Sequence, residues 1–133
     1  SSIAEIKDLT VSGLKPGGKA TFKYSLVLKE ELPQNSQVQF TILYGSMTLP
    51  CKGGIGSCTY KLCGGTGKIE KQIGQAWQNQ CPAKAGTYEN SVEVTIPPVP
   101  RFLITENKIK VKIEAVSSGR PLLCVNLDVE IGQ

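Results

Sequence analysis

Apolar and polar residues alternate with a period of two along most of this chain, the spacing at which successive side chains of a strand point to opposite faces. From Ala20 to Leu28 the sequence reads Ala-Thr-Phe-Lys-Tyr-Ser-Leu-Val-Leu, which puts Ala20, Phe22, Tyr24, Leu26 and Leu28 on one side. Val38, Phe40, Ile42 and Tyr44 repeat the pattern against Gln37, Gln39 and Thr41. It returns at Val92, Val94 and Ile96, at Ile109, Val111 and Ile113 between lysines, and at Leu123, Val125, Leu127, Val129 and Ile131. A first strand is expected over Ile3–Val11. Turn signals separate these runs: Lys15-Pro16-Gly17-Gly18, Pro33-Gln34-Asn35-Ser36 and Ser117-Ser118-Gly119-Arg120. The stretch Ile69–Trp77 has room for one short helical turn, with Gly74 inside it, and no segment carries an amphipathic helix of ordinary length. Six or more strands, each with one apolar face, must pack those faces together. The expectation is an all-β fold, a β-sandwich of two sheets.

At 133 residues the chain is expected to form a single domain over residues 1–133. No internal repeat, linker or low-complexity segment divides it. Its 40% hydrophobic and 20% charged residues exclude a disordered composition. The net charge of +4 is too diffuse for a nucleic-acid footprint, so no nucleic-acid partner is expected, though it suits contact with an anionic membrane surface. Lys108, Lys110 and Lys112 read as a solvated sheet face. No apolar run approaches the ~20 residues of a membrane-spanning helix, and no signal peptide is present, so the chain reads as a form from which a leader has been removed.

The sequence has no histidine, which takes away the commonest general base and the commonest metal ligand together. Its carboxylates are scattered without a pairing motif, and Cys124 lacks the histidine partner of a usual thiol nucleophile. No catalytic residue is expected. Four of the five cysteines, Cys51, Cys58, Cys63 and Cys81, cluster, with six, four and seventeen residues between neighbours. Structural zinc pairs its thiolates at two-to-four-residue gaps, so disulfides in an oxidising compartment fit better and no metal is expected. The glycines Gly53, Gly54, Gly56, Gly64, Gly65 and Gly67 lack the strand-to-helix context and Gly-Lys-Ser/Thr ending of a phosphate loop, and read as turn residues.

Four segments carry a resemblance. Leu49 to Tyr60 reads Leu-Pro-Cys-Lys-Gly-Gly-Ile-Gly-Ser-Cys-Thr-Tyr, with Cys63 just beyond; Cys81 to Tyr88 reads Cys-Pro-Ala-Lys-Ala-Gly-Thr-Tyr; Val99-Pro100-Arg101-Phe102-Leu103 and Leu122-Leu123-Cys124 follow. Together they resemble the ML (lipid-recognition) domain family, and within it most closely its ganglioside-activator branch. The resemblance implies an immunoglobulin-like sandwich whose two sheets splay into an apolar, lipid-holding cup. It also implies pairing of Cys51 with Cys58 and of Cys63 with Cys81. Two departures stand out: nothing before Cys51 can partner Cys124, which is expected unpaired, through loss of the first residues or as a buried thiol, with a bond to another molecule as the alternative, and no cysteine braces the segment between Cys63 and Cys81, which is expected to be looser.

Read from the residues alone, Phe22, Tyr24, Leu26, Phe40, Ile42, Val94, Ile96, Val111 and Ile113 would close into a core; the resemblance implies instead that they line a lipid cavity. Ile96-Pro97-Pro98-Val99-Pro100-Arg101-Phe102-Leu103-Ile104 is too proline-rich for regular pairing and is expected at an edge or rim. There Val99, Phe102, Leu103 and Ile104, with Trp77 from the cystine-closed segment, would form the cavity mouth and touch the membrane; inward packing is the alternative for the loop and for Trp77 alike. Lys68 and Lys71 could meet anionic lipid heads, or be simply solvated. The function expected is lipid binding and transfer: a glycolipid, phospholipid, sterol or fatty acid held between the sheets, with transient membrane contact and a hydrolase or receptor as a possible partner. The alternative is a secreted lipid-sensing, signalling or allergen-like recognition module using the sandwich as a scaffold. No cofactor is expected beyond the bound lipid, and the site of action is extracellular or lysosomal.

Overall fold

A computed structural model describes residues 3–52, 56–96, 98 and 107–131. The strands run β1 (Ala4–Ser12), β2 (Lys19–Leu28), β3 (Ser36–Tyr44), β4 (Met47–Thr48), β5 (Thr59–Lys61), β6 (Gly86–Thr95), β7 (Lys108–Ser117) and β8 (Arg120–Glu130). A helix, α1 (Lys68–Gly74), and a 3-10 turn, Gln75–Trp77, lie between β5 and β6. One sheet has the order β1-β2-β6; the other has the order β4-β3-β7-β8, with β5 also paired to β3, and every pairing is antiparallel. The architecture is the all-β sandwich expected, built from the long alternating runs.

Two bulges explain where simple alternation fails. In β1 the register slips between Lys7 and Thr10, with Asp8 at φ 54°. Strict alternation after Ala4 and Ile6 would turn Asp8 inward. The extra residue sends its carboxylate outward and brings Leu9 to the inner face, where it lines the interior. In the β7–β8 pair, Ala115 faces Leu123 while Val116 faces Pro121, leaving Leu122 as the inserted residue. Leu122 and Leu123 are consequently both buried, Leu122 completely. The carbonyl of Leu122 accepts the Ile3 amide at 3.2 Å, a link between the two sheets along one side of the sandwich.

The other side is closed by the segment between β5 and β6. Cys51–Cys58 and Cys63–Cys81 are both bonded, with Cα atoms 5.0 and 5.7 Å apart, the pairing the resemblance implies. The Cys63–Cys81 span, which has no cystine within it, is held to β6 by hydrogen bonds. The Gln72 side chain donates to the Glu93 carbonyl at 2.9 Å and accepts from the Glu93 amide at 2.8 Å, in the manner of a neighbouring strand. Gln75 donates to the Ser91 carbonyl, and Asn90 Nδ2 donates to the carbonyls of Gln72 and Ile73. Gly74, which weakens the helical reading of this segment, sits where the helix end packs flush: a Cβ there would lie 2.6 Å from Asn79 Oδ1 and 3.2 Å from the Leu62 carbonyl. Close approach, rather than flexibility, accounts for that glycine.

Burial is graded along the sandwich. Ala4, Leu28, Leu32, Val38, Ala115, Leu122 and Leu123 close one end. Toward the other end Leu9, Phe22, Phe40 and Ile42 are only partly covered, although Ala20 and Val111 are exceptions. β6 finishes and β7 begins at that more open end.

Candidate functional site

Between the sheets lies a hollow of about 200 Å³. Well-packed interiors hold few voids larger than a water molecule, so this is a cavity and not a packing flaw. Its wall comes from both sheets and from α1. Phe22, Tyr24, Leu26 and Val94 face it from the smaller sheet, and Phe40, Ile42 and Ile113 from the larger. Two residues expected in the wall are not among its lining: Val111 is buried on the inward face of β7, and Ile96 lies past the end of β6, bonded through its backbone to Gly18. Alternation sets which face a residue takes but not whether its side chain borders the cavity: Ile96 lies past the strand, while Val111 is level with the lining residue Ile42 and yet does not border the hollow.

Trp77, expected at the mouth, is a wall residue. It is 8% exposed, its indole N–H donates to the Leu62 carbonyl at 2.9 Å, and Tyr88 packs edge-on with ring centroids 5.6 Å apart. A satisfied N–H removes the wet end that draws tryptophan to a membrane interface. Val99, Phe102, Leu103 and Ile104 lie outside the described residues.

Sequence reasoning missed the contribution of the cystine-closed segment. Ile69, Ile73 and Trp77 all line the cavity, together with Leu62. Their spacing of four residues was the signal available, since it places them on one face of a helical segment. Leu9, Leu122 and Ala4 were also missed, the first two because a bulge decides their direction.

Apart from the Tyr24 and Tyr60 hydroxyls and the Trp77 N–H, the lining side chains are hydrocarbon. Tyr24 accepts a hydrogen bond from Asn90 Nδ2 at 2.9 Å. Burial pushes the Tyr24 hydroxyl above its ordinary pKa, and the Asn90 hydrogen bond opposes this. Burial, then the nearby Glu70 charge, likewise raises Tyr60, whose ring meets Phe40 edge-on at 5.7 Å. Both tyrosines are thus neutral at physiological pH. Glu70 is held below its ordinary value foremost by the Lys61 amide, which donates to Oε2 at 2.6 Å, and also by the Gly67 amide at 3.1 Å on Oε1. That ionised carboxylate ties the start of α1 to β5. Among the described residues no cluster of cysteines and carboxylates could hold a metal ion, and Cys124 is unbonded and exposed on the outer face of β8.

The whole is a two-sheet antiparallel sandwich, stapled by two cystines and hollowed into a hydrocarbon-lined cavity: a hollow all-β domain. The family model for the ML domain matches residues 1–131, and the chain belongs to that family, one of lipid-recognition domains that are not typically enzymes. A search of curated proteins returned no match. Among solved structures, the Pseudomonas fluorescens alkylpurine DNA glycosylase AlkC bound to DNA containing an abasic site analog is similar at a TM-score of 0.47 and 16% identity. The similarity covers 96% of this chain and 30% of that one, so the chain spans under a third of the glycosylase, and the likeness is too distant to bear on chemistry.

Proposed function

We propose that this protein binds a lipid by its apolar chain in the inter-sheet cavity and carries it between membranes or to an acceptor. The observation that carries the reading is the hydrocarbon lining of a cavity of about 200 Å³, where a scaffold would have a filled core. At ~30 Å³ per methylene, close to a water's share of the liquid, such a space takes at least about seven methylenes. Each is worth ~0.8 kcal/mol on leaving water, or about 5–6 kcal/mol in all, enough for a Kd on the order of 100 μM before any contact with a head group.

The ganglioside-activator likeness of the cysteine segments supports a finer form of the reading, in which the bound lipid is offered to a hydrolase. The two cystines suit an oxidising compartment, extracellular or lysosomal. Native mass spectrometry of the purified protein, followed by organic extraction, tests the proposal. A lipid bound near one to one is expected; a ligand-free mass that persists after incubation with lipid vesicles would refute it.

A further inference from the structure

Beside the cavity runs a second concavity of about 420 Å³, lined by Thr59, Tyr60, Lys68, Glu70, Glu93 and Thr95, and floored by the Cys51–Cys58 bridge. Tyr60, Ile69 and Val94 line both spaces, so the two adjoin across these three side chains. A hydrocarbon chamber beside a groove that carries charged and hydroxyl side chains on an otherwise apolar wall suits an amphiphile. The groove lies between β5, α1 and the end of β6. We infer that this groove holds the head group of the lipid and selects a neutral, hydroxyl-bearing head. The inference rests on the carrier reading above.

The neutral head follows from the charges around the groove. Lys68 has no ion pair among the described residues and offers three donors. Both carboxylates are already committed: Glu70 accepts the Lys61 and Gly67 amides, and Glu93 pairs with Lys19 at 3.6 Å. Each still has lone pairs free to accept from a hydroxyl. An anionic head would face Glu70 and Glu93, and a cationic head would face Lys68. A hydroxylated head accepts from Lys68 and donates to the carboxylates, with the Thr59 and Thr95 hydroxyls able to do either.

The test compares ligands with one ten-carbon chain and different heads: 1-decanoylglycerol, decanoate and decyltrimethylammonium, each titrated calorimetrically below its micelle concentration. The glycerol ester is expected to bind about tenfold more tightly than either ion, the worth of one to two added hydrogen bonds. Glu93→Gln, a change on an exposed side chain, is expected to narrow the ester's advantage over decanoate several-fold while leaving the melting temperature unchanged. Equal affinity for all three heads would overturn the head-group site and leave the carrier reading standing. Failure of all three to bind while native mass spectrometry finds a bound lipid would overturn the head-group site alone, and failure together with a ligand-free mass would overturn both.

Discussion

Replacing Ala115 with leucine separates a hollow sandwich from a filled one. Ala115 is buried on β7 between Val38 and Leu123, and it lines the cavity. The substitution adds three carbons, ~90 Å³ at ~30 Å³ each, to a space of about 200 Å³. Filling a void recovers up to ~24 cal/mol per Å³, about 2 kcal/mol here, less ~0.5–1 kcal/mol for fixing the leucine rotamer. The ligand-free variant should therefore melt about 3–6 °C higher than the parent. The same carbons displace about three methylenes of ligand, at ~0.8 kcal/mol each, so an acyl ligand should bind roughly 50-fold more weakly. Differential scanning calorimetry and a fluorescent fatty-acid displacement assay read the two effects. In a filled core the added carbons would overpack and cost ~1–3 kcal/mol. A lower melting temperature together with unchanged ligand affinity would refute the argument.

Trp77 is the chain's one tryptophan and a wall residue, so its emission should be that of a buried indole and should be quenched by a ligand brominated along its chain; quenching by bromide in solution alone would place it outside the cavity. Because Glu70 titrates below its ordinary value, it contributes stability above roughly pH 4.3 that is lost as pH falls through its folded pKa. Urea melts from pH 6 to 3 should show that loss, and Glu70→Gln should flatten it; since Glu70 is partly solvated, the effect should not exceed ~1 kcal/mol. Removing the Cys63–Cys81 bridge by paired serine substitutions should cost ~3 kcal/mol in denaturant melts and raise amide exchange in α1 more than in β7. Under native conditions Cys124 should react with a thiol reagent at one equivalent per chain; no reaction would contradict its exposure.

The long strands were legible because their pattern has a strict period and their faces differ sharply. β2, β3, β6 and β7 fall close to where alternation puts them. β4 and β5, of two and three residues, are too short to show a period at all, and their pairing with β3 is decided by the hairpin and the cystine beside them. The direction of Leu9 and Leu122 depends on an inserted residue that no face-counting detects. For the site, the sequence marked Phe22, Phe40 and Val94 as inward but could not tell a core from a cavity, since both need the same hydrocarbon face. Trp77 shows a further limit: its type suits an interface as well as an interior, and the Leu62 carbonyl that decides between them is fifteen residues away.

The hydrogen bonds from α1 to β6 have a consequence for how molecules of this protein meet each other. A sandwich opened into a cup cannot close its smaller sheet into a barrel, so that sheet keeps two free edges, and unpaired edges recruit other chains. At β6 the Gln72 amide occupies both the N–H and the C=O of Glu93, and Gln75 takes the Ser91 carbonyl, so a foreign strand finds its ladder positions filled. At β1 the kink at Asp8 breaks the straight edge, with Glu5, Lys7 and Asp8 supplying charge along it. The two edges are blunted by unrelated means, one by borrowed side-chain amides and the other by a bend. Both devices take away the straight, unpaired backbone on which edge-to-edge pairing would build.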